Sequence, residues 1–369
     1  MNFPFRAAVF ASLIFATPIF AQAPATNAAP RRNFPAAIVS PQIQTNNTVT
    51  FRIRAPKANE VMLQGQWKDG RAPMAKGSND VWSVTVGPID AGVWEYSFNV
   101  DGLTMIDPAN PWIKPQRSPN TSILHLRGNP PKPWDFMDVP HGTVRFHTYN
   151  SKTLGRLREV SVYTPPGYEK GSQKYPLLIL QHGSGDNQAT WTVHGKAHWI
   201  LDNLIAEKKA KPMVVVMMDG HAAVGGPGGG NNTQLFEKDL FDDVMPLIEA
   251  TYRVKKGAEN RGIVGLSMGG GQSLTIGLNH LDQFHWVGGF SSAAPNKEAV
   301  EKSLDDGTAK KLKLLWIGVG KDDFLLKNNE QFTAFLKEKQ IPFEWNLTEG
   351  NHSWPVWRNY LTMFLPKLF

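Results

Sequence analysis

The five residues Gly265-Leu266-Ser267-Met268-Gly269 constrain this chain more than any other stretch. They read Gly-x-Ser-x-Gly, follow the apolar run Gly262-Ile263-Val264, and lead into residues that can start a helix. A strand that turns sharply into a helix needs glycines flanking the turn, because a Cβ there would hold the two backbones apart. The turn also lifts a serine hydroxyl out of the sheet. It leaves the amide of the next residue, Met268, available to an oxyanion. Ser267 is therefore a candidate nucleophile. The rival reading is a glycine-rich loop with an incidental serine, and the strand before it and the partners below weigh against that.

Such a serine needs a base, and the base needs an acid to orient it. On a turn of this kind the chain order is Ser, then Asp or Glu, then His. Three of the ten histidines follow Ser267: His280, His285 and His352. His280 falls near the end of the helix after the turn and His285 at the start of the next apolar stretch, places that suit surface or packing roles. His352 lies in Glu349-Gly350-Asn351-His352-Ser353-Trp354, a loop after an expected strand at 343–347. It is the candidate base. The run Leu315-Trp316-Ile317-Gly318-Val319-Gly320 leads into Lys321-Asp322-Asp323, so both aspartates are candidate acids. Asp323 is preferred, with Asp322 read as the cap of the next helix. A second oxyanion donor is expected after an earlier strand, in Gln181-His182-Gly183-Ser184-Gly185, from the amide of Gly183 or Ser184. His182 is read as structural. Trp191, Phe324 and Trp354 are candidates to flank an aromatic acyl group, though each also suits a core.

With 369 residues the chain has room for about two domains. Its 41% hydrophobic and 19% charged content supports a buried core and excludes a disordered chain. Residues 1–21 read as a secretory signal: Arg6 supplies charge, residues 7–20 an apolar centre, and Ala21 a small residue at the cut. The apolar part is short and interrupted by Thr17 and Pro18, so no integral membrane segment is expected there. The expected location is secreted or periplasmic. The chain has no cysteine, which excludes a disulfide scaffold and cysteine catalysis. The net charge of +7 is spread along the chain, with no Lys/Arg run to suggest a nucleic-acid partner. No metal or cofactor is expected, since serine chemistry requires none.

Residues 22–38, rich in Ala, Pro and Asn, read as a linker. Residues 39–128 show short alternating runs, such as Val49-Thr50-Phe51-Arg52-Ile53-Arg54, separated by turn residues, and are expected to form a small antiparallel sandwich. Residues 129–143, with Pro130-Pro131-Lys132-Pro133, read as a second, stiffer linker. Across 144–369 the runs at 177–180, 213–218, 262–264 and 312–319 are apolar throughout, as parallel strands buried on both faces are. Helix-like segments at 197–208, 240–252 and 328–339 lie between them. The expected class is α/β with a predominantly parallel sheet, preceded by a small all-β sandwich. The Gly- and Asn-rich residues 225–232 read as a surface loop near the strand ends.

Together these segments resemble the esterase D-like branch of the α/β-hydrolases, which includes feruloyl and acetylxylan esterases of carbohydrate esterase family 1. The resemblance is carried by Tyr175-Pro176 through Gly183, Trp191, residues 197–218, Gly265 through Gly270, Gly320 to Asp323, and His352-Ser353-Trp354-Pro355-Val356-Trp357. It covers nearly all of 144–369, implies an α/β-hydrolase fold, and through its Gly-x-x-Asp pattern places the acid on Asp323. Residues 39–128 resemble an early-set, immunoglobulin-like domain of carbohydrate-binding module family 48. That likeness is carried by Phe51-Arg52-Ile53-Arg54-Ala55-Pro56, Gly65-Gln66-Trp67 and Asp107-Pro108-Ala109-Asn110. Trp67 and Trp112 are candidates for an exposed aromatic platform. The resemblances imply an exported esterase acting on feruloyl esters of arabinoxylan, with plant cell-wall polysaccharide or a feruloylated oligosaccharide as partner. Acetylxylan or an enterochelin-type siderophore are alternative esters. A non-catalytic polysaccharide-binding protein is a third reading, against which the complete Ser, Asp and His set speaks.

Overall fold

Alternation along the buried strands divides the apolar side chains between two faces of one sheet. Leu177, Ile179, Ile263, Val287, Leu315 and Ile317 belong to one core cluster. Leu178, Leu180, Val264, Phe290, Leu314 and Trp316 belong to another. A sheet with two apolar faces must be covered by helices on both. The computed structural model describes residues 37–223, 230–305 and 308–369. Its eight-stranded sheet has the order Thr143–Ser151, Arg156–Thr164, Val214–Met218, Leu177–Gln181, Arg261–Leu266, Trp286–Phe290, Leu314–Gly320 and Glu344–Thr348. The first two strands are an antiparallel hairpin edge, and the other six run parallel. Helices Ser267–Asn279 and Leu326–Glu338 bury Leu274, Ile276, Phe332 and Leu336 in the first cluster. Helices Ala197–Ala206 and Trp354–Phe364 bury Ile200, Leu201, Tyr360 and Phe364 in the second.

From Leu177–Gln181 the chain crosses to Val214–Met218 on one side, then returns to Arg261–Leu266 on the other. Connections that leave neighbouring strands in opposite directions open a crevice at the strands' carboxyl ends. The loops that begin with His182 and with Ser267 meet there.

Two expectations along this region differ from what is seen. The hairpin edge was not legible as strand, because it alternates polar residues such as Arg145, His147 and Arg156 and carries no apolar run. The helix expected at 240–252 begins earlier. Helix Asn232–Asp239 passes through a π-helical turn, Leu240–Val244, into Met245–Thr251. The expected signal and nearly all of the first linker lie outside the described residues, as do 225–229 of the Gly- and Asn-rich loop.

The preceding all-β region consists of two antiparallel sheets. One has the order Gln42–Ile43, Val49–Arg54, Val81–Val86 and Ala75–Lys76. The other has the order Arg71–Pro73, Val61–Gly65, Gly92–Val100 and Leu103–Met105, with Ser122–Leu126 also on Gly92–Val100. Val49, Phe51, Ile53, Leu63, Tyr96, Phe98 and Leu124 form its core. Trp67 belongs to this core and stacks on Phe51 at 5.8 Å, so it is not the exposed platform expected of it; Trp112 is 63% exposed. Asp107 locks the region's end, accepting from Ser40 Oγ at 2.5 Å and from the Tyr96 hydroxyl at 2.8 Å.

Residues 38–369 form one compact unit. The stretch 129–143 connects the two regions but is not a free spacer. Trp134 and Asp135 are buried, and Asn203 Nδ2 donates to the carbonyls of Pro133 and Asp135. Val93 and Ile123 of the all-β region join a core cluster of the large sheet. Arg358, 1% exposed, donates to the Val93 carbonyl at 2.6 Å, to the His194 carbonyl at 3.3 Å and to His194 Nε2 at 3.2 Å. His194 accepts there and is neutral, consistent with the burial that holds its pKa well below the ordinary histidine value. Replacing Arg358 by Ala strands these buried acceptors. It is expected to lower unfolding free energy by about 3 kcal/mol, measured by urea denaturation with circular dichroism and tryptophan fluorescence; an unchanged midpoint contradicts this account.

Candidate active site

Ser267 opens helix Ser267–Asn279 directly after strand Arg261–Leu266, and its φ is 53°. A non-glycine residue in this left-handed region is strained by about 1–2 kcal/mol. The surrounding glycines let the turn close. A Cβ on Gly265 would lie 2.4 Å from the Gly269 carbonyl oxygen, and one on Gly269 would lie 2.3 Å from that of His182. The strand and the helix therefore touch backbone to backbone, and the turn has no room to relax. Met268 is the second residue of the helix, where amides have no intrahelical acceptor.

The structure brings Ser267, His352 and Asp323 together. Ser267 Oγ lies 2.9 Å from His352 Nε2, and His352 Nδ1 lies 2.9 and 3.0 Å from the two carboxylate oxygens of Asp323. Asp323 follows strand Leu314–Gly320, and His352 follows Glu344–Thr348, the two strands beyond Trp286–Phe290. Burial pushes the Asp323 carboxyl up, but hydrogen bonds from the His352 ring and the Leu325 amide outweigh it and hold it below the usual carboxylate range. An ionised Asp323 accepts from Nδ1–H and leaves Nε2 with its lone pair toward Ser267. Asp322 is exposed and is not the helix cap: Asp323 Oδ1 itself accepts from the Leu325 amide, one residue before helix Leu326–Glu338.

His182 is 1% exposed. Its Nε2 accepts from the Gly220 amide at 2.8 Å, so its proton sits on Nδ1, which donates to the Gly183 carbonyl at 2.7 Å. That carbonyl is thereby fixed. In a trans peptide the Ser184 N–H points the opposite way, away from His182. Gly183 itself comes close to the turn, since a Cβ on it would lie 3.2 Å from Ser267 Cβ.

Ser267 sits between two clefts. One, of about 840 Å³, is lined by polar groups including Thr233, Gln234, Asn279 and Asn296. The other, of about 350 Å³, is lined by His352, Phe324, Trp354 and Trp357. Phe324 is 76% exposed and its ring centroid lies 4.4 Å from that of His352. Trp354 lines the smaller cleft but is itself buried. Trp191 is not in either cleft. It is 1% exposed, donates Nε1–H to the Gln181 carbonyl, and meets Trp354 edge-on at 4.9 Å. Trp191 supports the cleft from within the core, and the expectation that it flanks a ligand is corrected.

The sequence did not reveal that Gln66, Glu95, Lys114 and Gln116 of the all-β region line the smaller cleft as well. Lys114 is pinned 3.1 Å from both Glu95 and Asp186, with its ammonium 5.8 Å from the Trp354 ring. Gln66 belongs to the quoted Gly65-Gln66-Trp67 and the other three to no quoted segment, and all four reach the cleft only because the two regions are packed together.

The family model for esterases, described as "Putative esterase", matches residues 151–368. The chain belongs to the esterase family. It is 32% identical over 344 residues to an endo-1,4-beta-xylanase/feruloyl esterase of Xylanibacter ruminicola, an alignment that takes in 89% of this chain. The chain spans 46% of that relative's length. A solved ferulic acid esterase is similar at 27% identity and a TM-score of 0.54, over 61% of this esterase and 97% of that chain. The enterobactin esterase of Shigella flexneri is similar in fold at 19% identity and a TM-score of 0.65, over 86% of this chain and 92% of its own.

Adding a methyl group at Gly265 is expected to force strand and helix apart. Gly265→Ala should lower unfolding free energy by about 3 kcal/mol, read by chemical denaturation. Wild-type stability in this variant would refute the close-contact account of the turn.

Proposed function

We propose that this chain is an exported serine carboxylesterase that releases ferulate, or a related hydroxycinnamate, from arabinoxylan. The reading is carried by the hydrogen-bonded series from Ser267 through His352 to Asp323 at the mouth of two clefts. His352 Nε2 takes the Ser267 proton as Oγ attacks the ester carbonyl. The oxyanion is held by the amide of Met268 and that of Ser184 or Gly183, with the fixed Gly183 carbonyl favouring Ser184. As the tetrahedral intermediate collapses, the carbon–oxygen bond to the sugar breaks and His352 returns its proton to the leaving alkoxide. Water then attacks the acyl-enzyme, with His352 again as base, and the acid and free Ser267 are restored. No residue changes charge overall.

The smaller cleft suits the aromatic acyl group. Phe324 offers an exposed ring, backed by the largely buried Trp357 and Trp354, and Lys114, Gln66 and Gln116 offer polar partners for ring substituents. The larger cleft, with Thr233, Gln234, Asn279 and Asn296 among its lining, offers hydrogen-bonding groups to a sugar. The all-β region is read as an immunoglobulin-like module of carbohydrate-binding type, 39–128, and the leader at 1–21 as the export signal. Similarity to the Xylanibacter relative and to the solved ferulic acid esterase supports the choice of ester.

A second reading, a catecholate siderophore ester, is favoured by one observation. The likeness to the enterobactin esterase extends over 86% of this chain, more than the catalytic region alone. A substrate panel separates them. The kcat/KM on methyl ferulate or feruloylated arabinoxylan fragments is expected to exceed that on acetylxylan and on a cyclic catecholate ester by at least tenfold; equal or faster turnover of either rival reverses the assignment. In the same assay, Ser267→Ala should cut kcat by roughly 10⁶-fold and Asp323→Asn by about 10⁴-fold. Asp322→Asn should stay within about twofold of wild type, since its side chain is exposed and touches none of these groups.

A further inference from the structure

A third cleft, of about 690 Å³, lies between the all-β region and helix Ala197–Ala206. Its walls are mostly apolar, including Ile43, Pro111, Val144 and Phe146. Two indole rings, Trp112 and Trp199, flank one cation, Lys196. The Lys196 ammonium lies 4.7 Å from the Trp199 ring centroid and 6.0 Å from that of Trp112. Lys196 is only 8% exposed, yet among the described residues no carboxylate pairs with it and none lines this cleft. Burial and the Arg358 guanidinium pull its pKa down to about 8. The buried Nδ1 of His198, also in the cleft wall, has no hydrogen-bond partner. Lys196 occupies a left-handed backbone position, φ 59° and ψ 27°, at the N-cap of its helix, where glycine or asparagine is less strained. The positive end of that helix adds to the same field.

The Lys196 ammonium opens onto this cleft beside two indole faces and has no carboxylate among the described residues, so an anion entering the cleft meets an unpaired charge. Ser40, Asn110 and Thr192 in the lining already donate to Asp107, to Tyr96 and the Ile123 carbonyl, and to the Ala189 carbonyl, so they are not free for a sugar's hydroxyls, whereas a flat apolar ring fits the mostly apolar walls. We propose that this cleft is a binding site, separate from Ser267, for a small aromatic carboxylate, with its ring beside Trp112 and Trp199 and its carboxylate on Lys196. The free acid that the proposed reaction releases is of this class, but the site's chemistry does not depend on that reaction.

The test is isothermal titration of the full-length Ser267→Ala variant, which cannot cleave the ester, with cinnamate, methyl cinnamate and glucuronate, so that binding is read without hydrolysis. Cinnamate should bind saturably. The uncharged ester should bind at least tenfold more weakly, because the ion pair is lost, and glucuronate should not compete. Lys196→Met and Trp112→Ala should each weaken cinnamate at least tenfold, and Lys196→Arg should restore most of the affinity. Phe324→Ala, at the cleft beside Ser267, should leave the component of binding that Lys196→Met and Trp112→Ala weaken unchanged. Trp112 is exposed, so its variant tests the site even where Lys196→Met lowers the thermal midpoint. Equal affinity for acid and ester, unaltered cinnamate binding in both Lys196→Met and Trp112→Ala, no saturable binding, or tighter binding of glucuronate would each overturn the assignment.

Discussion

The contact on which this architecture depends is the one between strand Arg261–Leu266 and helix Ser267–Asn279. Gly265 and Gly269 allow their backbones to meet at distances no side chain would permit. That contact holds Ser267 at a positive φ and aims its hydroxyl out of the sheet. The His182 loop closes on the same point, because Gly269 leaves room for the His182 carbonyl. Strain at one residue is sustained here by packing around it, since the rest of the strand is buried on both faces.

The sheet then delivers the partners. Ser267 and His352 are 85 residues apart in the chain, and His352 and Asp323 are 29 apart. Each follows the carboxyl end of its own parallel strand, and parallel strands place all such ends on one edge. His352 is held by the carboxylate of Asp323 on one side and by the rings of Phe324 and Trp357 around it. Asp323 is also tied to the start of the next helix through the Leu325 amide, so the orienting carboxylate is itself oriented.

The all-β region is part of this arrangement and not an appendage. Arg358, Lys114 and the buried 129–143 stretch tie it to the large sheet, and Gln66, Glu95, Lys114 and Gln116 bring it to the smaller cleft. Two different clefts therefore lie along the junction, one reaching Ser267 and one centred on Lys196. On the proposed reading, ring substituents of the acyl group meet side chains of a region that has no share in the bond chemistry.

Much was legible in the letters. Period-two alternation in the N-terminal region, unbroken apolar runs in the C-terminal one, and Gly-x-Ser-x-Gly after such a run are local patterns, and local backbone chemistry decides them. The chain order Ser, Asp, His, taken from the α/β-hydrolase likeness, singled out His352 and the Asp322–Asp323 pair. The hairpin edge escaped because its two strands interleave polar residues with apolar ones and carry no apolar run. The role of Trp67 and Trp191 escaped because a tryptophan reads the same in a core or a cleft, and only its neighbours distinguish the two. Asp323 was preferred over Asp322 from the sequence and by the resemblance, but which side chains line each cleft, and how Lys196 is left without a carboxylate among the described residues, were decided by tertiary structure alone. Those are distances between residues remote in sequence, and they are set by how strands order themselves and how two regions bury their shared surface.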